Sequence, residues 1–170
     1  MLVVFVGRPG TGKTTLARLA AVELTGAHLR IDEIEAAILR SGVPPPLGVA
    51  GYAVAHEVAA SCLRAGSHVV VDAVSPVAAA RAGWVALAEA AGTSLWVIEV
   101  EVTDPAEHRR RVETRMSDVL GLVVPTWAQV TALVYEPWDT ARDGPRLLVH
   151  NDGEPEDTMH QVRAYLTQKP

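Results

Sequence analysis

Two hydrophobic patterns alternate along this chain: short unbroken apolar runs, and longer stretches in which apolar residues recur every three or four positions. Leu2-Val3-Val4-Phe5-Val6 is an uncharged, largely β-branched run, as expected of a strand buried on both faces. Val69-Val70-Val71 has the same character, Leu95 to Val102 reads as a strand although it carries Glu99 and Glu101, Arg146 to His150 gives a last strand, and Ala27 to Ile31 gives a short one stopping at Asp32. Helical spacing covers Thr15 to Leu24, Glu33 to Leu39, Val49 to Ala65 and Val77 to Ala91, with Gly66 and Gly92 as natural stops. Asp104 caps a further helix with Pro105 at its first position, a short helix starts at Thr126, and Pro155 to Thr167 forms the last. Pro44 to Pro46 impose an extended turn, and Met116 to Pro125 has no period and reads as a loop. Five strands alternating with helices predict an α/β fold, a parallel sheet covered on both faces. With no repeat or linker in view, residues 1–170 read as one domain.

The link between the first strand and the first helix carries the chemistry. Gly7-Arg8-Pro9-Gly10-Thr11-Gly12-Lys13-Thr14 matches the phosphate-binding pattern G-x-x-x-x-G-K-[ST] and is followed by Thr15. Glycines at 7, 10 and 12 let successive N–H groups turn toward phosphate oxygens, and the helix N-terminus adds about half a positive charge. Lys13 is then expected at the β- and γ-phosphates, and the Thr14 hydroxyl on Mg²⁺.

Composition narrows the partners. The formal net charge is −5, so no general positive field is available to hold a long polyanion, which disfavours nucleic acid. Lys13 and Lys169 are the only lysines. The single cysteine, Cys62, has no internal disulfide partner and reads as a small buried hydrophobe in a reducing interior. The first residues lack a basic segment before the apolar run, and no uncharged stretch approaches the 18 residues of a membrane span, so a cytoplasmic location is expected.

Taken together, these segments resemble the small P-loop kinases, the group of chloramphenicol phosphotransferase, adenylylsulfate kinase, gluconate kinase and shikimate kinase, over essentially the whole chain. The resemblance implies the P-loop NTPase fold with strand order 2-3-1-4-5, a lid at about 109–127, ATP and Mg²⁺ as nucleotide and metal, and phosphoryl transfer to a hydroxyl. It also implies roles for particular residues. In similar enzymes an acid after the second strand, here Asp32, orients and deprotonates the acceptor; the competing role for Asp32 is an N-cap of the helix from Glu33. Thr103 to Arg115 is similar to the helix leading into the lid, where one Arg stacks on adenine and another four residues later reaches the transferring phosphate. Arg111 and Arg115 have that spacing, whereas Arg109 and Arg110 read as a solvated stripe paired with Glu107 and Glu113. Tyr135-Glu136-Pro137 is similar to a Tyr-Glu-x-Pro element near the end of the lid in adenylylsulfate kinases. Asp72, ending an apolar strand, is expected either to hold a Mg²⁺-bound water or to contact the acceptor.

The acceptor is expected over residues 40–57, where Arg40, Tyr52, His56 and Glu57 supply the polar groups. One basic residue in that stretch suits a neutral acceptor better than an anionic one. Two other readings share the loop: a polynucleotide 5′-kinase, which needs a basic groove, and a regulatory ATPase with no separate acceptor.

Overall fold

In the computed structural model, which describes residues 1–168, β1 (Leu2–Val6) lies at the centre of a five-stranded sheet. Lys169 therefore lies outside the described residues. The strands run β2 (Ala27–Arg30), β3 (Val69–Asp72), β1, β4 (Leu95–Glu101), β5 (Leu147–His150), every neighbour pairing parallel, in the order the resemblance implies. Parallel strands need crossovers, supplied by α1 (Lys13–Glu23), α2 (Ile31–Arg40), α3 (Ala50–Arg64), α4 (Ala78–Ala91), α5 (Pro105–Thr114), α6 (Trp127–Ala132) and α7 (Thr140–Asp143), while α8 (Pro155–Leu166) follows β5.

Side chains alternate across each strand, so β1 feeds two cores. Val3 and Phe5 join Ile98, Val100 and Val149 under Leu16 and Ala17 of α1 and Met159 and Val162 of α8. Leu2, Val4 and Val6 join Val69, Val71 and Val97 under Ala55 and Ala59 of α3 and Trp84 of α4. Both faces are covered, which is why β1 reads as a continuous apolar run.

The differences from the sequence expectation concentrate at the carboxyl ends of the strands. β2 stops at Arg30 and α2 already begins at Ile31. α5 begins as expected, with the Asp104 carboxylate accepting from Ala106 N–H at 2.9 Å, but it ends at Thr114, leaving Arg115 extended at φ −64°, ψ 129°. α7 has no counterpart in the sequence reading, being too short to show a period. No helix among the described residues is long and apolar enough to cross a membrane.

Candidate active site

The loop between β1 and α1 is held from behind by its carbonyls. Thr11 Oγ1 donates to Arg8 O at 3.0 Å, His108 Nε2–H to Pro9 O at 2.8 Å, and Asn151 Nδ2 to Thr11 O at 2.9 Å. The N–H groups from Gly10 to Thr14 donate to no group among the described residues. A run of free N–H groups at a helix start is an anion site. Gly10 and Gly12 both sit at φ +87°, and a Cβ on Gly12 would lie 2.2 Å from Asn151 Nδ2, so only glycine fits that approach.

In front of the loop is a cavity of 280 Å³ lined by Gly10, Gly12, Lys13, Thr14, Thr15, Arg18, Arg30, Arg111, Arg115 and Asp118. The other motif residues shape the loop instead of lining this cavity. Gly7 N–H donates to Val74 O, and the Arg8 guanidinium turns away to Val130 O (2.8 Å) and Leu133 O (3.2 Å), over the Tyr135 ring. Arg8 and Thr11 thus use their side chains to brace the loop and its surroundings.

Lys13 is nearly buried, its Nζ 4.0 Å from Asp72 Oδ1. The second Asp72 oxygen is buried without a hydrogen-bond partner, 3.6 Å from Arg30 Nε. Register explains the juxtaposition, because Arg30 and Asp72 are partners on β2 and β3. Asp32 lies in the first turn of α2, and Arg30 takes the N-cap position with no side-chain cap. The N-cap role for Asp32 is therefore overturned. Its carboxylate instead faces Arg30 Nη2 at 3.4 Å and Arg115 Nη2 at 3.8 Å.

Three participants escape the motif reading. Arg30, Arg18 and Asp118 meet at the rim: Asp118 accepts from Arg30 Nη1 at 2.9 Å and from Arg18 Nη2 at 2.7 Å. These bonds, the one from Arg30 foremost, hold the Asp118 carboxyl far below the usual carboxylate range. The available signal was a lone Arg at a strand end and a lone Asp in an aperiodic stretch, neither of which names a partner.

Arg111 and Arg115 both line the cavity, but only Arg111 is helical, so the expected shared helix face is corrected. Arg111 donates to Glu107 Oε1 at 2.6 Å and to Asn151 O at 2.7 Å. Bonds from Arg110 and Arg111 pull the Glu107 carboxyl down to about 2. Arg109 and Arg110 form the expected solvated pairs with Glu113 and Glu107.

The acceptor residues separate. Arg40 donates to Leu120 O and ties α2 to the 115–126 segment. Tyr52 OH accepts from Ser75 N–H at 3.0 Å, beyond the end of β3, and burial pushes the phenol up. His56 is corrected: it packs edge-on against Trp84, ring centroids 4.2 Å apart, with Nε2 buried and unpartnered and burial lowering its pKa. Between α2 and α3 lies instead Glu35, its side chain against Gly51 and its carboxyl raised by burial and by Asp32. Tyr135-Glu136-Pro137 forms a strap: Tyr135 OH donates to Glu99 at 3.0 Å, and Glu136 accepts from Ala78 N–H at the start of α4.

A family model described as an AAA domain matches residues 2–130. The fold is similar to that of a sugar kinase from Janibacter sp. HTCC2649 (TM-score 0.71, 18% identity, 97% of this chain and 93% of that chain). It is also similar to a gluconokinase from Sinorhizobium meliloti 1021 (TM-score 0.65, 18% identity, 96% and 90%) and to the Mycobacterium tuberculosis APS kinase CysC in complex with AMPPNP and APS (TM-score 0.64, 19% identity, 98% and 97%). At these identities the likeness is one of fold. No curated protein matches the chain in sequence.

Proposed function

The chain belongs to the AAA domain family, and from that premise we propose that it is an ATP-dependent phosphotransferase moving the γ-phosphoryl group to a hydroxyl of a small, neutral molecule. One observation carries the reading: Lys13, Asp72, Asp32 and Arg115 converge at the carboxyl ends of β1, β3 and β2, beside a loop of unpaired N–H groups. That is where open parallel sheets take ligands.

Lys13 and the loop N–H groups hold the phosphates, and Arg115 offers a guanidinium to the transferring group. Asp32 orients the acceptor hydroxyl. Its place between Arg30 and Arg115 suits a loose transition state in which positioning outweighs proton removal. The acceptor oxygen forms its bond to phosphorus as the bond to the bridging oxygen breaks, the hydroxyl proton passes to Asp32, and ADP leaves. Thr14 and the unpartnered Asp72 oxygen fit a Mg²⁺ ion held through phosphate oxygens and water, a set that needs few protein ligands. When bound, the metal neutralises charge on the β- and γ-phosphates. A neutral acceptor is supported by Arg40, the one base between residues 40 and 57, whose guanidinium is engaged by Leu120.

The test is a screen of alcohols for ATP-dependent phosphorylation by mass spectrometry, with Lys13→Ala as control. Transfer to a neutral alcohol, lost by at least ~10²-fold in the variant, is the expected result. ATP hydrolysis with no transfer to any alcohol favours the regulatory ATPase, and turnover retained by Lys13→Ala rejects the site.

A further inference from the structure

Arg30 is a buried cation with four acidic neighbours. Only 2% of its side chain is exposed, and it faces Asp118 at 2.9 Å, Asp32 at 3.4 Å, Glu33 at 3.5 Å and Asp72 at 3.6 Å. The single short contact is the one to Asp118. Its Nε and the facing Asp72 Oδ2 have no hydrogen-bond partner. Asp118 belongs to the 115–126 segment, which has no strand or long helix, and it uses its second oxygen on Arg18 of α1. One side chain thus bridges this aperiodic connection to two separate elements of the scaffold.

A guanidinium shielded from water must be satisfied by the carboxylates within reach. While Asp118 is docked, it takes the shortest contact, and Asp32 and Asp72 stay at longer range. If Asp118 leaves, Arg30 loses its closest partner, and Asp32, Glu33 and Asp72 are the acids left within 3.6 Å.

We propose that Arg30 is a positioning residue switched by Asp118: docking of the 115–126 segment engages Arg30 and leaves Asp32 and Asp72 available, whereas undocking lets Arg30 draw both carboxylates away. This deepens the kinase reading and rests on it for its consequence in turnover. The coupling restrains ATP hydrolysis while the segment is undocked, because the groups that position acceptor and nucleotide are then withheld.

The experiment uses the full chain with Asp118→Asn, Arg18→Ala, and Asp118→Asn combined with Arg30→Gln. Asp118→Asn is expected to speed amide exchange in residues 116–122 by at least about tenfold. It should also reduce by about tenfold the extra ADP affinity conferred by Mg²⁺, and lower kcat for transfer by about tenfold with a smaller change in KM for ATP. Adding Arg30→Gln should restore much of the Mg²⁺-dependent ADP affinity and of kcat, which a merely structural role of Asp118 does not predict. Exposed Arg18 is a substitution that spares the buried cluster, and Arg18→Ala should give the same changes in weaker form. Unchanged exchange in both Asp118→Asn and Arg18→Ala overturns the docking; faster exchange with unaltered Mg²⁺-dependent ADP affinity overturns the coupling. The exchange and ADP measurements need no acceptor, so they stand apart from failure of the kinase reading.

Discussion

The side-chain amide of Asn151 occupies the space that a Cβ on Gly12 would fill, its Nδ2 2.2 Å from that position, while donating to Thr11 O at 2.9 Å. A residue after β5 is thereby locked into a loop 140 positions earlier. Asn151 also accepts from Thr158 Oγ1 at 3.1 Å, so its side chain joins the phosphate loop to the first turn of α8. Asn151→Ala leaves two buried partners unsatisfied, and a loss of about 1–3 kcal/mol in stability is expected on urea unfolding. Nucleotide affinity should fall as well, by roughly tenfold, because the N–H groups are no longer fixed from behind. Titration with ADP checks this, and an affinity equal to wild type rejects Asn151 as a brace.

Asp32→Asn keeps the shape of a side chain that caps no helix, so the melting temperature should move by only a few degrees. Phosphoryl transfer should drop by roughly 10²-fold or more, with nucleotide affinity little changed. Transfer at the wild-type rate would move the acceptor-orienting role to another carboxylate, Asp72 first.

Arg111 and Arg115 should separate kinetically. Arg111 is fixed by Glu107 and the Asn151 carbonyl, and under the proposed adenine-stacking role Arg111→Ala should mainly raise KM for ATP. Arg115 faces Asp32, and Arg115→Ala should mainly lower kcat, by roughly 10²-fold. Steady-state kinetics at saturating acceptor distinguish the two, and identical profiles would refute separate roles.

Tyr135 carries a pH dependence of stability. Burial, with the Glu99 charge second, pushes its phenol well above the ordinary value near 10. The fold therefore favours the protonated phenol: its contribution is fully present below pH about 10 and is lost as pH rises toward the folded-state value. Unfolding free energy of the wild type should fall above pH 10 with this proton's slope, and Tyr135→Phe should lack that component. The variant should cost about 1 kcal/mol at neutral pH, from the hydrogen bond to Glu99. Parallel curves for the two proteins above pH 10 would discount Tyr135.

The phosphate loop was legible because its chemistry is local. Gly7 to Thr14 are consecutive, and a strand and a helix on either side leave their backbone one way to run. The order of elements and the Asp104 cap were readable for the same reason, since period and capping act within a few residues. Where a boundary had to be placed, local cues left two roles open: Asp32 read as an acceptor-orienting acid or as a helix cap, and the helix starts at Ile31 with the carboxylate facing Arg115. His56 read as an acceptor residue, but α4 brings Trp84 against it.

Order along the chain thus determined the α/β class, the phosphate loop and the candidate chemistry of Lys13, Thr14, Asp32 and Asp72. Only the tertiary structure decided which charges meet. Arg30 and Asp118 are 88 positions apart and Thr11 and Asn151 are 140, with no periodicity linking either pair. They are neighbours because parallel pairing in the order β2-β3-β1-β4-β5 gathers the carboxyl ends of distant strands along one edge. At that edge buried charges and amides must find partners from whatever the crossovers bring there, since isolated they are too costly to bury.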